Sequence, residues 1–258
     1  MSSSTRPGSD SELTYSTYLA VDELLDLQRP RSRPEHPDEL LFIVVHQSSE
    51  LWFKAILHEL DGLITHMQDG DAIGALAITR RLNALVRIVA AQLSALDTLP
   101  PQRFAQFRGY LGTASGGQSA QFRAIEAVSG LRDDHFMQVL REHGEVPAVV
   151  QRALERPTLQ SLLLALVGRE GLSTAGLYAD PRPSALFLLA ESLLEYEQGF
   201  QLWRYLHVQL VERIIGPQTG GTGGTLGAKY LQRTLQQRFF PELWAVRTAV
   251  FEGQDGGR

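Results

Sequence analysis

Two histidines stand inside long apolar helical segments, where an imidazole can either be a core residue or bind a metal. His46 shares one predicted helical face with Phe42 and Ser49, and His207 lies four residues after Trp203. A neutral imidazole can bind a metal through one ring nitrogen. A single histidine on an apolar helix face is more often a core residue, so the spacing alone leaves both roles open.

The sequence restricts which metal chemistry is possible. His46 and Glu50 are four residues apart and could share a metal, but a carboxylate-bridged di-iron bundle needs Glu-x-x-His pairs, and the chain contains none. The His-Glu-x-x-His motif of zinc hydrolases is also missing. The chain has no cysteine, which excludes zinc–thiolate sites, iron–sulfur clusters and thiol nucleophiles. Any metal must therefore be held by histidine, carboxylate or another non-thiolate ligand.

Two glycine-rich segments offer backbone N–H groups to a small ligand. Thr219–Gly227 does not match Gly-x-Gly-x-x-Gly and follows a predicted helix rather than a strand, so it does not indicate a nucleotide site. A flexible connector and a ligand-binding loop both remain open for it. The segment Arg108–Ser119 begins with an arginine. Most arginines are simply solvated, but a guanidinium fixed beside such a loop suits a carboxylate.

Composition limits the class of protein. The 258 residues suffice for one large domain or two small ones, and the 43% apolar and 21% charged content is ordinary for a globular protein. A net charge of −5 provides no basic field for nucleic acid. No uninterrupted apolar run reaches the roughly 20 residues of a membrane span. The serine-rich start lacks the apolar core of a signal peptide, so we expect a cytoplasmic protein.

The periodicity of apolar residues predicts an all-α protein, since no period-2 strand series occurs. We expect a disordered arm over 1–12 and a single helical-bundle domain over 13–258. The predicted helices are Asp38–Gln68, Ala72–Leu96, Ala120–Val128, Ser184–Ile215 and Ala228–Phe239, with a short amphipathic segment at Leu13–Leu27. Shorter helices are expected over 131–183, and a tail anchored by Phe240, Leu243, Trp244 and Val246 follows the last helix.

Six sequence runs occur in an order that resembles the tryptophan 2,3-dioxygenase family. They are Leu-Thr-Tyr-x-x-Tyr-Leu at Leu13–Leu19, Asp-Glu-Leu-Leu-Phe-Ile-Val-Val-His-Gln-Ser-Ser-Glu-Leu-Trp at Asp38–Trp52, Phe-Arg-x-x-Leu-Gly at Phe107–Gly112 with Ser-Gly-x-Gln-Ser at Ser115–Ser119, Phe-Gln-Leu-Trp-Arg-x-x-His at Phe200–His207, Gly-Thr-Gly-Gly at Gly221–Gly224 and Phe-Phe-Pro-Glu-Leu-Trp at Phe239–Trp244. They cover both ends of the chain and leave out about 130–183.

The resemblance implies an all-helical enzyme with haem b, usually a homotetramer, that uses O2 to cleave the indole C2–C3 bond of L-tryptophan to N-formylkynurenine. It implies that His207 is the proximal iron ligand and that His46 is the catalytic histidine facing the indole N–H. The remaining residues that match the family's site are the substrate-binding Tyr15, Tyr18, Leu19, Phe42, Arg108, Ser115 and Thr222, and the cofactor-binding Trp203, Gly221 and Gly223. The first three match a segment that reaches a neighbouring subunit's site.

Some positions depart from the family pattern. Phe104 stands where a tyrosine is expected, the loop Thr113–Gly117 is slightly altered, Thr225-Leu226 replaces small serines, and the middle of the chain is shorter than in typical members. All but the last touch the pocket. Two alternatives therefore stay open at this point: a haem-dependent mono-oxygenase acting on tryptophan or β-methyltryptophan, and a haem sensor without turnover.

Overall fold

The computed structural model describes residues 13–132, 146–179, 182–218 and 228–255, and every regular element in these ranges is a helix. The α-helices are α1 Tyr15–Leu19, α2 Val21–Leu25, α3 Glu39–Asp69, α4 Ala72–Ala91, α5 Pro101–Arg108, α6 Ala120–Ser129, α7 Ala148–Glu155, α8 Leu159–Arg169, α9 Thr174–Ala179, α10 Ala185–Ile215, α11 Ala228–Thr234 and α12 Pro241–Asp255. The 3₁₀ segments are Gln92–Thr98, Gly109–Leu111 and Gly116–Gln118. The predicted all-α class is confirmed; the predicted arm over 1–12 lies outside the described residues.

Local sequence signals set the ends of the long helices. Gly70 ends α3 in the left-handed conformation, with φ at 82°, a backbone state that glycine adopts at little cost. Asp71 then caps α4 by accepting a hydrogen bond from the backbone N–H of Gly74 at 2.8 Å. Ser184 caps α10 in the same way through the N–H of Phe187 at 3.1 Å. These side chains satisfy N–H groups that a helix start leaves unpaired.

The three long helices form the centre of the bundle, with α4 packed along both α3 and α10. The α4–α10 crossing is close: a Cβ on Gly199 would lie 2.7 Å from Cγ1 of Val86. The glycine therefore allows a backbone approach that a larger residue would prevent. This contact fixes α10, and with it His207, against the bundle.

The buried apolar side chains form two clusters. The larger one fills the space among α3, α4, α6, α8 and α10 and includes Leu63, Leu82, Ile125, Leu163 and Leu193. The smaller one brings together α3, the segment Gln92–Thr98, α5 and α10. Its buried members are Val45, Leu93, Leu96, Leu99, Phe104, Phe107, Leu210 and Ile214. Trp203 packs against both clusters, so the two parts of the core meet beside His207.

Several predicted boundaries need correction. The helix predicted over Ala72–Leu96 tightens to a 3₁₀ helix at Gln92, and the one predicted over Ala228–Phe239 ends at Thr234. The expected tail is the helix α12, although Phe240, Leu243 and Val246 are buried as anchors. Helix α5 is not among the predicted helices, because Pro100-Pro101 is equally a signal for the end of the preceding helix. Pro101 instead occupies the first helical turn, where its missing N–H costs nothing.

Helix α3 is long and apolar enough, by length and composition alone, to cross a membrane, with a mean hydropathy of 1.3 over its most apolar window. The pair Ala72–Thr98 and Pro101–Leu111 meets the same test together but is bent by 94°. A core helix of a soluble bundle meets this test as well. Unlike a fully buried core helix, α3 leaves Leu40, Val44 and Leu51 of its first half exposed.

Candidate functional site

The position of His46 on α3 fixes which ring nitrogen is available to a ligand. Its Nδ1 lies 2.7 Å from the backbone carbonyl oxygen of Phe42. A carbonyl only accepts hydrogen bonds, so Nδ1 carries the proton and donates it. In the neutral ring Nε2 is then an acceptor. The aromatic ring of Phe42 lies against the imidazole, with 4.2 Å between the ring centroids.

The surroundings of His46 favour its neutral form. Crowding by protein atoms lowers the pKa of His46, an effect that the hydrogen bond to Phe42 and the negative charge of Glu50 partly offset. The ring is nevertheless exposed to solvent, so a ligand can reach it from outside the core. Gln121 on α6 holds Glu50, donating from Nε2 to the carboxylate at 2.8 Å and to the backbone oxygen at 2.9 Å.

His207 on α10 is a neutral imidazole whose ring makes no hydrogen bond to another described residue. Burial, followed by the charge of His46, lowers its pKa to about 4. Its ring is stacked on that of Trp203, with centroids 5.2 Å apart and planes inclined by 28°. The indole Nε1 of Trp203 is itself buried and without a hydrogen-bond partner. At neutral pH a nitrogen lone pair of His207 is therefore available to a metal.

The two imidazoles belong to one site. Helices α3 and α10 both pack against the segment Gln92–Thr98, and His46 and His207 are close enough for the charge of one to lower the pKa of the other. No group of three histidine, aspartate or glutamate side chains in the described ranges could hold a bare metal ion. One neutral imidazole with a lone pair to donate fits haem, because the porphyrin supplies the other four ligands to the iron.

Aromatic rings from α5 form one wall of the site. Phe104 and Phe107 are buried, and their ring centroids lie 5.5 Å and 5.8 Å from that of Phe42. Arg108 follows directly as the last residue of α5 and is partly buried. Arg108, which is predicted to bind a carboxylate, therefore lies at the end of the helix that contacts Phe42.

Ser115 has a structural role in the loop that follows α5. Its Oγ accepts a hydrogen bond from the N–H of Gly117 at 3.3 Å, and its own N–H donates to Oε1 of Gln118 at 3.2 Å. This reciprocal pair caps the short helix Gly116–Gln118. No contact between Ser115 and His46 or His207 is formed. A role in binding substrate remains a prediction.

The predicted N-terminal contacts lie apart from the histidines of the same chain. Tyr15 and Tyr18 are 77% and 73% exposed, and Leu19 is also exposed, on the short helix α1. Helix α1 is nevertheless well formed, with Thr14 and Thr17 bonded reciprocally at its start. The predicted residues Gly221, Thr222 and Gly223 lie outside the described residues.

Sequence reasoning missed three contributors to the site. Phe107 is fully buried against Phe42, and its spacing of three from Phe104 is the helical signal that could have revealed α5. Glu50 was considered only as a metal ligand, whereas the structure makes it the negative charge that acts on His46. Gln121, which orients Glu50, lies on another helix, and no local pattern relates the two.

Comparison with known proteins places these features in one family. The sequence profile of the tryptophan 2,3-dioxygenase family matches residues 1–180 and 168–250. The chain is 42% identical to the tryptophan 2,3-dioxygenase of Anaeromyxobacter dehalogenans, over 92% of this chain and 96% of the relative. For the Caulobacter vibrioides protein of the same name the identity is 40%, over 93% and 99%. With a histidine pair on two helices that pack against the same segment and similarity along nearly its whole length, the chain belongs to the tryptophan 2,3-dioxygenase family.

Proposed function

We propose that this chain is a haem-dependent dioxygenase that opens the indole ring of L-tryptophan between C2 and C3 and yields N-formylkynurenine. The observation that carries the proposal is the pair of neutral imidazoles, His46 and His207, on separate helices that meet at the segment Gln92–Thr98. Membership of the family supplies the reaction.

The cofactor in this proposal is haem b, with His207 as its protein ligand to iron. Bound haem would supply the binding and activation of O2. Trp203 would keep the imidazole of His207 in a fixed plane, because the two rings are stacked. Gly221 and Gly223 are proposed to allow close approach of the backbone to the cofactor.

The substrate would be held at both ends. Nε2 of His46 accepts the hydrogen bond of the indole N–H, since Nδ1 is already bonded to the carbonyl of Phe42. Leaving that N–H unpaired in a buried site costs about 1–3 kcal/mol. The guanidinium of Arg108 binds the carboxylate, Thr222 holds the amino-acid end, Ser115 lies on the distal side and Phe42 packs against the ring. Fixing the substrate in this way is catalysis by positioning.

Assembly would complete the site. We place the exposed side chains of Tyr15, Tyr18 and Leu19 against the pocket of a neighbouring copy in a homotetramer. Their exposure together on one short, well-capped helix supports this, because a group of neighbouring apolar side chains in water, unlike a single one, indicates a contact surface. The proposed location of the protein is the cytoplasm.

Oxygen labelling tests the reaction. The reduced holoenzyme is incubated with L-tryptophan under ¹⁸O2, and the product is analysed by mass spectrometry. Two labelled atoms in N-formylkynurenine are expected. A singly labelled product with an intact indole ring would replace the proposal with mono-oxygenation, and a tryptophan-dependent change in the haem spectrum without product would indicate a sensor.

The cofactor assignment has its own measurement. His207→Ala should lose most of the haem absorbance of the purified protein, because the chain has no cysteine to replace the ligand. His66→Ala is the matched control, since His66 is a surface histidine paired with Asp71. An Ala variant of His207 that kept full haem with an unchanged spectrum would refute the assignment.

A further inference from the structure

Helix α5 depends on the segment that precedes α3 for its position. It has eight residues, Pro101–Arg108, and a helix this short is not stable through its own hydrogen bonds. Phe104 and Phe107 bury one side of it in the smaller core cluster. Further contacts of α5 and of Tyr110, just beyond it, run to residues 33–38, which lead directly into α3.

The strongest of these contacts is a two-pronged ion pair. Nη2 of Arg103 donates to Oδ1 of Asp38 at 2.7 Å, and Nε of Arg103 donates to Oδ2 of the same carboxylate. Such paired hydrogen bonds fix the orientation of a guanidinium as well as its distance. The pair lowers the pKa of Asp38 and raises that of Arg103, so both groups are charged at neutral pH.

Three further contacts join the segment before α3 to α5 and to the residues that follow it. His36 lies 2.9 Å through Nε2 from Oε1 of Gln106, and its ring centroid is 5.1 Å from that of Phe107. The N–H of Asp38 donates to Nδ1 of His36 at 3.2 Å, so Nε2 carries the proton that Gln106 accepts. The hydroxyl of Tyr110, just beyond α5, donates to the backbone oxygen of Arg33 at 2.8 Å.

These contacts relate the two ends of the substrate site. Asp38 lies directly before α3, and Phe42 and His46 follow at intervals of four residues on the same helical face. Arg103 is on the helix that ends at Arg108. The ion pair therefore joins the element that carries the indole-binding histidine to the element that carries the carboxylate-binding arginine.

We propose that Asp38 and Arg103 are positioning residues that set the distance between Arg108 and His46, and thereby select amino acids whose carboxylate and indole N–H have the spacing found in tryptophan. The inference rests on the proposed function, because it takes Arg108 as the carboxylate ligand. The pair is partly exposed, at 24% and 44% of the two side chains, and such pairs add little to global stability. Its effect is on geometry.

Steady-state kinetics of the reduced holoenzyme with L-tryptophan test the proposal. Arg103→Gln and Asp38→Asn should each raise KM roughly tenfold and leave kcat within about twofold, because misplacing a binding group weakens the ground state and transition state alike. Arg103→Lys keeps the charge but cannot form two parallel hydrogen bonds to the carboxylate. Its KM should therefore lie between that of the parent protein and that of Arg103→Gln. Arg81→Gln breaks the surface pair with Glu59 and should leave KM unchanged.

A double-mutant cycle with Arg108 separates positioning from a structural effect. If Arg103 acts through Arg108, then Arg103→Gln adds nothing further to KM in an Arg108→Ala background. An equal further loss in that background would overturn the positioning role and leave Arg108 as the clamp. An unchanged KM in Arg108→Ala alone would overturn both assignments. Circular dichroism melting of each variant checks folding, and Asp38→Asn tests the pair if Arg103→Gln does not fold.

Discussion

At the scale of single residues, the backbone determines what His46 can do. Because Nδ1 donates to the carbonyl of Phe42 one turn earlier, the helix selects the tautomer whose Nε2 accepts a hydrogen bond. Burial lowers the pKa of His46 and keeps this acceptor neutral at pH 7, while Glu50 acts in the opposite direction. The pH below which L-tryptophan binding weakens should therefore depend both on the burial of His46 and on the charge of Glu50.

Glu50→Gln should move that limit to lower pH. The negative charge of Glu50 raises the pKa of His46, so removing the charge lowers it, and His46 then stays neutral in more acid solution. Glutamine preserves an acceptor for Gln121. The measurement is KM for L-tryptophan from pH 7 downward, with Glu59→Gln on the same helix as control. A rise in KM that starts at higher pH in Glu50→Gln would contradict this account.

Arg108→Lys should weaken L-tryptophan binding strongly. A lysine cannot reproduce the two parallel hydrogen bonds of a guanidinium to a carboxylate, and loss of a buried charged pair costs on the order of 2–5 kcal/mol. Equilibrium binding of L-tryptophan to the holoenzyme measures the effect, and Arg87→Lys, in an exposed pair with Glu195, is the control. Unchanged affinity would remove Arg108 from the site.

At the scale of helices, the sequence predicted those elements whose ends carry strong local signals. Helix α3 ends at Asp69 beside the predicted Gln68, and α10 begins at Ala185 beside the predicted Ser184, because glycine and capping side chains act on the nearest backbone groups. Helix α5 was missed, because Pro100-Pro101 can end one helix or begin the next. The proximity of His46 and His207 has no local signal, because it arises from the packing of α3 and α10 against the segment Gln92–Thr98. Only the family resemblance suggested it.

Glu197 on α10 is one of the side chains that attach the C-terminal segment to the bundle. It is fully buried and accepts hydrogen bonds from the N–H groups of Phe239 and Phe240 at 2.7 and 2.8 Å and from Nε1 of Trp244 at 2.6 Å. Arg238 lies 3.3 Å from the same carboxylate. A buried carboxylate surrounded by donors in this way stabilises the fold, because each donor would otherwise be unpaired.

Glu197→Gln should lower the free energy of unfolding by about 3 kcal/mol, because the amide NH2 group would face backbone N–H donors in a buried space. Urea denaturation of the variant and the parent protein measures the difference. Glu195→Gln is a close control: it lies two residues away on the same helix, in a pair that is more than half exposed on both sides, and should cost less than about 1 kcal/mol. Equal losses in the two variants would show that burial of Glu197 has no special effect.

At the scale of the whole molecule, the described chain leaves a band of apolar residues in water. Leu13, Leu25 and Leu27 are 75%, 68% and 57% exposed, and they lie near the exposed tyrosines of α1. The base of this segment is nevertheless attached beside the site, since Nε2 of Gln47 donates to the backbone oxygen of Leu27 at 3.1 Å. A segment that is fixed at its base and carries several exposed apolar side chains is suited to cover a second copy.

Deleting residues 1–20 should therefore reduce both assembly and activity. The deletion removes Tyr15, Tyr18 and Leu19, and none of the described residues that it removes, 13–20, is buried in the core, so each subunit should still fold. Analytical ultracentrifugation should show a smaller species, and KM for L-tryptophan should rise, because in the proposed homotetramer each pocket would lose α1 of a neighbouring copy. A deletion of 1–12 alone keeps α1 and separates the role of that helix from the role of the residues before it.

A point variant that preserves chain length, Tyr18→Ala, should raise KM with less effect on assembly, whereas Phe251→Ala, which removes an aromatic ring that is 70% exposed on α12, should change neither. A monomer with full activity after deletion of 1–20 would refute the shared site.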